Sequence, residues 1–155
     1  MKKLLSIFAF LYLIVFSNAS LANDNPLLSE YFWAKATPET VQQVIDKGYN
    51  VNDKAEFLGF SPIIIASWRN TNPEVITLLL KNGANIDDRD EEGRTPLIWA
   101  CLLNFNPEVI TILLKNGADV KAKDVNGQTA LDYAKGNPKI YKTDVYWQMN
   151  NLMYE

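Results

Sequence analysis

Apolar side chains recur at steps of three and four in two stretches of the chain: Val75, Ile76, Leu79 and Leu80 in one, Val109, Ile110, Leu113 and Leu114 in the other. Such spacing lines one face of a helix. Each stretch opens on an Asn-Pro pair, Asn72-Pro73 and Asn106-Pro107, and closes on Lys-Asn-Gly, ending at Gly83 and Gly117. Asn caps the first turn, Pro suits the first helical position because its missing N–H would be unpaired there, and Gly accepts the left-handed turn that ends a helix. A second start signal, Thr95-Pro96, precedes a shorter apolar stretch from Leu97 to Cys101, so each amphipathic helix is preceded by a shorter one running the opposite way. Between Gly117 and Gly127 the polar residues Asp119, Asp124 and Asn126 read as a hairpin-like finger that returns the chain to the next helix pair.

These signals repeat. Residues 72–84 and 106–118 are nearly identical and lie 34 apart; Gly59, Gly93 and Gly127 keep the same step, as do Pro62, Pro96 and Ala130. A period of this size marks stacked supersecondary units. The stretch Gly93-Arg94-Thr95-Pro96-Leu97-Ile98-Trp99-Ala100, followed by Leu113-Leu114-Lys115-Asn116-Gly117-Ala118-Asp119-Val120, is similar to the ankyrin repeat. The resemblance covers about residues 26–155 and is strongest from Gly59 to Ala134. It implies an all-α solenoid of about four helix-turn-helix units with finger-like β-turn loops. The units are a degenerate N-terminal repeat at 26–56, repeats at 57–90 and 91–124, and a C-terminal capping repeat at 125–155. In the first, Leu27 to Ala34 is expected as the first helix and Thr37-Pro38-Glu39 to Lys47-Gly48 as the second; in the last, a terminal helix carrying Tyr146, Trp147, Met149, Leu152 and Met153 is expected after Asn137-Pro138.

The sequence departs from the family pattern in two ways. Ile64, Ile98 and Asp132 stand where the family usually has the histidine that braces the turn, so stability is expected to lean on apolar stacking. The interval from Gly48 to Gly59 is one residue longer than that from Gly83 to Gly93, so the first finger is expected to protrude.

Lys2 and Lys3 precede an apolar run from Leu4 to Phe16, followed by small residues in Ser17-Asn18-Ala19 and Ser20-Leu21-Ala22. This is the pattern of a secretory signal peptide at residues 1–22, with cleavage after Ala22 or, as second choice, Ala19. The run is shorter than the ~20 residues a membrane-spanning helix requires. The expected mature domain, residues 23–155, carries 13 basic against 18 acidic side chains, a net charge of −5, and nucleic acid is a poor partner for it. It is expected to be a monomer without a membrane anchor, in the bacterial periplasm or secreted. Its single cysteine, Cys101, falls at a position where the family has a small buried residue and is assigned a structural role.

The chain contains no histidine, which removes the Ser-His-Asp and Cys-His nucleophilic pairs and the commonest zinc ligand. The densest acidic cluster, Asp87, Asp88, Asp90, Glu91 and Glu92, resembles the opening of a calcium loop, but Trp99 stands where a bidentate Glu is required. It is read as a solvated finger tip. No catalytic residue, cofactor or metal site is assigned.

The ankyrin resemblance implies that another protein is met on the concave face, by finger residues and by exposed positions late in each first helix. Those positions are Phe57, Leu58, Phe60, Trp68 and Arg69; Glu91, Glu92, Arg94, Leu102 and Leu103; and Val125, Asn126, Gln128 and Lys135. Phe57, Phe60, Trp68, Leu102 and Leu103 make that strip more apolar than a solvated face warrants; the alternative is that Phe57 and Leu58 fold under the longer finger while Trp68 covers the junction with repeat one. Trp33, Trp99 and Tyr133 are assigned to the core or its margin. The expected function is that of an exported, non-enzymatic binding module acting as inhibitor, immunity factor or assembly factor for an envelope protein. The alternatives are a secreted effector that engages a foreign protein, or a hydrolase working with carboxylates alone.

Overall fold

The computed structural model describes residues 25–155; the export signal read from residues 1–22 lies outside them. After a 3-10 turn at Pro26–Leu28 come eight α-helices: α1 (Glu30–Trp33), α2 (Pro38–Asp46), α3 (Pro62–Arg69), α4 (Pro73–Lys81), α5 (Pro96–Leu103), α6 (Pro107–Lys115), α7 (Ala130–Ala134) and α8 (Asp144–Tyr154). Among the described residues the only extended pairing is one antiparallel bridge, Lys123 with Thr129. The helices stack as four pairs, the odd-numbered ones forming one row and the even-numbered ones a second.

Helix starts follow the sequence signals closely. Proline occupies the first turn of α2 through α6. The side chains of Thr37, Asn72, Thr95, Asn106, Thr129 and Thr143 each accept a backbone N–H from the helix they precede. Ser61 holds the same position before α3 without making that bond. Gly83 and Gly117 end α4 and α6 at φ +86° and +88°, in the left-handed conformation that side chains disfavour.

Burial divides the rows. In α5 every residue from Pro96 to Cys101 is buried, as expected of a helix with a neighbour on either side, α3 and α7. In α4 and α6 only one stripe is buried, Val75, Ile76 and Leu79 against Val109, Ile110 and Leu113, while Leu80 and Leu114 are half-buried at its margin. Cys101 is fully buried with its thiol 3.6 Å from Sδ of Met149, and burial pushes its ionisation far above the usual thiol range.

The two ends differ from expectation. The first helix of repeat one is split, because Ser29 both ends the 3-10 turn and caps α1; Trp33 nevertheless locks the two pieces together by donating its indole N–H to the carbonyl of Leu27 at 2.7 Å. In the last unit Asn137-Pro138 opens a turn, in which Ile140 and Tyr141 both donate to the carbonyl of Asn137 and Lys142 takes φ 61°. Helix α8 therefore begins only at Asp144.

The units are also joined by polar bonds. Asn104, buried in the loop between α5 and α6, donates its amide to the carbonyls of Ser67 at 2.8 Å and Asn70 at 2.9 Å, and its side-chain oxygen accepts the N–H of Asn106. Asn70 does the same with Trp33 and Ala36, and Asn137 with Cys101 and Asn104. One buried asparagine per interface thus ties each unit to the carbonyls of the unit before. Polar rungs thus stand beside the apolar stacking on which stability was expected to lean.

Candidate functional site

The fingers are built from the turn outward. In the second finger the N–H of Asp90 donates to the carbonyl of Arg94 at 3.2 Å, closing a tight turn, and the Asp90 carboxylate fills it: one oxygen accepts the N–H groups of Glu92 and Arg94, the other the indole N–H of Trp99 at 2.8 Å. Asp124 repeats this with Asn126, Gln128 and, at 2.6 Å, the hydroxyl of Tyr133. In the first finger the aspartate is replaced by Ala55 and the turn, closed by Ala55 N–H on the carbonyl of Phe60, holds one more residue. The longer finger and the missing carboxylate belong together, since the carboxylate is what holds the shorter turn closed.

The fingers are tied to one another. The N–H of Glu91 donates to the carbonyl of Leu58 at 3.2 Å and that of Val125 to Glu92 at 3.0 Å. Lys54 reaches the carbonyl of Arg89, and Arg89 the carbonyl of Lys123. A side chain on Gly59, whose φ is +63°, would stand 3.3 Å from the N of Glu91, so glycine there also permits the close approach of neighbouring fingers. The first finger is therefore bonded into the row, and only its tip projects.

Burial sorts the residues expected to bind. Phe57 is 63% exposed at the tip of the first finger, Val125 is exposed at the equivalent tip of the third, and Glu91, Glu92, Asn126, Gln128 and Lys135 are exposed. Leu58, Leu102 and Leu103 are half-buried. Phe60, Trp68 and Arg94 are buried, which corrects their assignment to an exposed strip. Phe60, Trp68 and Trp99 form one aromatic cluster across two units, with ring centroids 5.4 to 6.5 Å apart. The guanidinium of Arg69 lies 4.2 Å from the centre of the Trp68 ring and is held there by Glu30 at 2.5 Å. Trp68 is thus enclosed between Phe60, Trp99 of the following unit and Arg69, and it is Arg69, through Glu30, that reaches repeat one; Phe57 does not fold under its finger. Arg94 stands where Phe60 stands one unit earlier; its guanidinium pairs with Glu92 and lies 5.1 Å from the centre of the Trp99 ring. Trp33 and Trp99 are core residues and Tyr133 is half-buried.

The acidic cluster is not a solvated tip throughout. Asp90 is buried, and desolvation raises its ionisation above the usual carboxylate range against the pull of its N–H donors. Burial also pushes Asp124 upward, but the Tyr133 hydroxyl and the N–H groups of Gln128 and Asn126 outweigh it and leave Asp124 below that range. Asp88 pairs with Lys54 at 2.8 Å, and Asp87 accepts the N–H of Asp119 at 2.9 Å. These carboxylates hold turns and join fingers.

Sequence reasoning missed the asparagine rungs, although the 34-residue step from Asn70 to Asn104 was there to be read. A family model described as "Ankyrin repeats (3 copies)" matches residues 31–124 and 69–143. A search of curated proteins returns no match.

Proposed function

The chain belongs to the ankyrin-repeat family, whose arrays are protein–protein interaction modules, and from that premise we propose that it is an exported, non-enzymatic protein that holds another protein across its finger side. The observation that carries this reading is the pair of exposed apolar finger tips, Phe57 and Val125, on fingers cross-bonded into one row. An apolar group carried on a fixed backbone needs no loop ordering when it is covered, so more of its burial goes into binding. Leu58, Leu102 and Leu103 are half-buried and offer further apolar area, and Glu91, Glu92 and Lys135 are exposed. Export is supported by Lys2, Lys3 and the apolar run from Leu4 to Phe16. In the envelope such a module serves as inhibitor, immunity factor or assembly factor; recovery from the medium instead of the periplasmic fraction would favour a secreted effector.

The test starts from protein isolated from a cell's envelope fraction, whose N-terminal mass should correspond to cleavage after Ala22 or Ala19; an intact Met1 would remove the export premise. With the partner captured from that fraction, Phe57→Asp should weaken binding by roughly 2 kcal/mol or more, as loss of a buried aromatic anchor does. Phe105, 66% exposed in the loop joining α5 to α6, is the matched control, and Phe105→Asp should leave affinity unchanged. Equal affinity for Phe57→Asp and the parent protein would refute the finger-tip site.

A further inference from the structure

Asparagine followed by glycine occurs three times: Asn82-Gly83 and Asn116-Gly117 just after α4 and α6, and Asn126-Gly127 at the tip of the third finger. All six residues are exposed. The pair is chemically weak because glycine has no Cβ to shield its backbone nitrogen, which can close on the side-chain carbonyl of the asparagine before it. A bond then forms between the glycine nitrogen and Cγ, and the side-chain nitrogen leaves Cγ as ammonia, taking the glycine N–H proton with it. The product is a five-membered imide. Water opens that ring at either carbonyl, leaving aspartate, or isoaspartate with the main chain running through the side chain. Only water is consumed.

Exposure does not separate the three pairs, but hydrogen bonding does. At the helix ends both reacting groups are held. Asn82 donates its amide to the carbonyl of Leu78 at 2.9 Å, and Asn116 to that of Ile112 at 2.8 Å. Gly83 and Gly117 donate their N–H groups to Leu80 and Leu114 at 3.0 Å, and the residues that follow, Ala84 and Ala118, are buried and bonded to the carbonyls of Leu79 and Leu113. Freeing the glycine nitrogen there means unwinding the last turn of a packed helix. At the finger tip Gly127 donates to the carbonyl of Asp124 at 2.9 Å. The Asn126 amide donates to no backbone carbonyl among the described residues and lies toward the Asp124 carboxylate. Every residue from Val125 to Gln128 is exposed, so the Gly127 bond can open without uncovering the core.

We propose that Asn126-Gly127 is a site of spontaneous deamidation, the one of the three pairs that the fold leaves reactive. Conversion places a carboxylate beside Val125, an exposed apolar finger tip, and close to Asp124, whose own carboxylate holds the turn. The isoaspartate form also lengthens the main chain of the tip by a methylene, against the bond from the Val125 N–H to Glu92. The finger row thus loses apolar character as the protein ages. The chemistry does not depend on any finger-side partner.

Incubating the full chain, as recovered from cells, in mildly alkaline buffer tests it. The masses of the proteolytic peptides that carry each pair are followed over time for exchange of amide for acid, and the same incubation in concentrated urea gives each pair's unfolded rate. Folding should slow Asn82 and Asn116 more than Asn126, by roughly tenfold, because their opening costs more. The Asn126 peptide should also resolve into two products of equal mass, aspartate and isoaspartate. A folded-to-unfolded rate ratio at Asn82 or Asn116 that equals or exceeds the ratio at Asn126 overturns the proposal. So does an Asn126 that stays intact in the folded chain, whatever it does in urea.

Discussion

Replacing Asn104 by alanine should lower the unfolding free energy by about 2 to 6 kcal/mol, since it leaves two buried carbonyls without partners at ~1–3 kcal/mol each, and a half-buried N–H besides. Those groups are the carbonyls of Ser67 and Asn70 and the N–H of Asn106. Asn104 is 1% exposed, so water cannot easily replace the lost bonds. Asn104→Asp should be worse than alanine, because a carboxylate would face two carbonyl oxygens. The comparison is Asn106→Ala, which removes a less buried helix cap and a bond to the Thr71 carbonyl and should cost about 1 kcal/mol. Urea unfolding of the three variants decides the matter. If Asn104→Ala costs no more than Asn106→Ala, the buried rung does not hold the units together.

Leu113→Ala should cost about 2 to 5 kcal/mol, the range for truncating a leucine in a core that relaxes only partly around the space left. Leu113 is fully buried on the stripe where α6 meets α4. Leu114, its half-buried neighbour, should cost clearly less when truncated. Because stability in a stacked array is shared through its interfaces, the Leu113 loss should appear as a shift of the whole transition to lower urea. A midpoint unchanged by Leu113→Ala, or a larger effect from Leu114→Ala, would contradict the register.

Most of the fold was legible because its punctuation is local. Pro38, Pro62, Pro73, Pro96 and Pro107 open helices where they should, and the apolar stripes of α4 and α6 face inward as their spacing requires. The ends were less legible. Asn137-Pro138 carries the same start signal as Asn106-Pro107 yet forms a turn, and whether such a pair begins a helix depends on packing that the pair does not contain. The site was half legible. Trp68 and Leu102 occupy equivalent positions 34 residues apart, but Trp68 is enclosed by Phe60, Trp99 and Arg69 while Leu102 stays half-open. Exposure at such a position is decided by the size of the side chains around it, and the repeat pattern is silent on that. The asparagines were hidden for a different reason. In a loop, asparagine reads as a turn former, and only its direction distinguishes a turn from a rung.

The asparagine rungs make each interface a copy of its neighbour: Asn104 takes the carbonyls of Ser67 and Asn70, then offers to Asn137 its own carbonyl and that of Cys101. A join of this kind fits itself. A tandem duplication of one 34-residue unit would add a segment whose two ends already match the segments on either side, with no new surface to evolve. The near identity of residues 72–84 and 106–118 is what such a duplication leaves behind in the gene, and array length is then a quantity that recombination can change while the contacts stay the same.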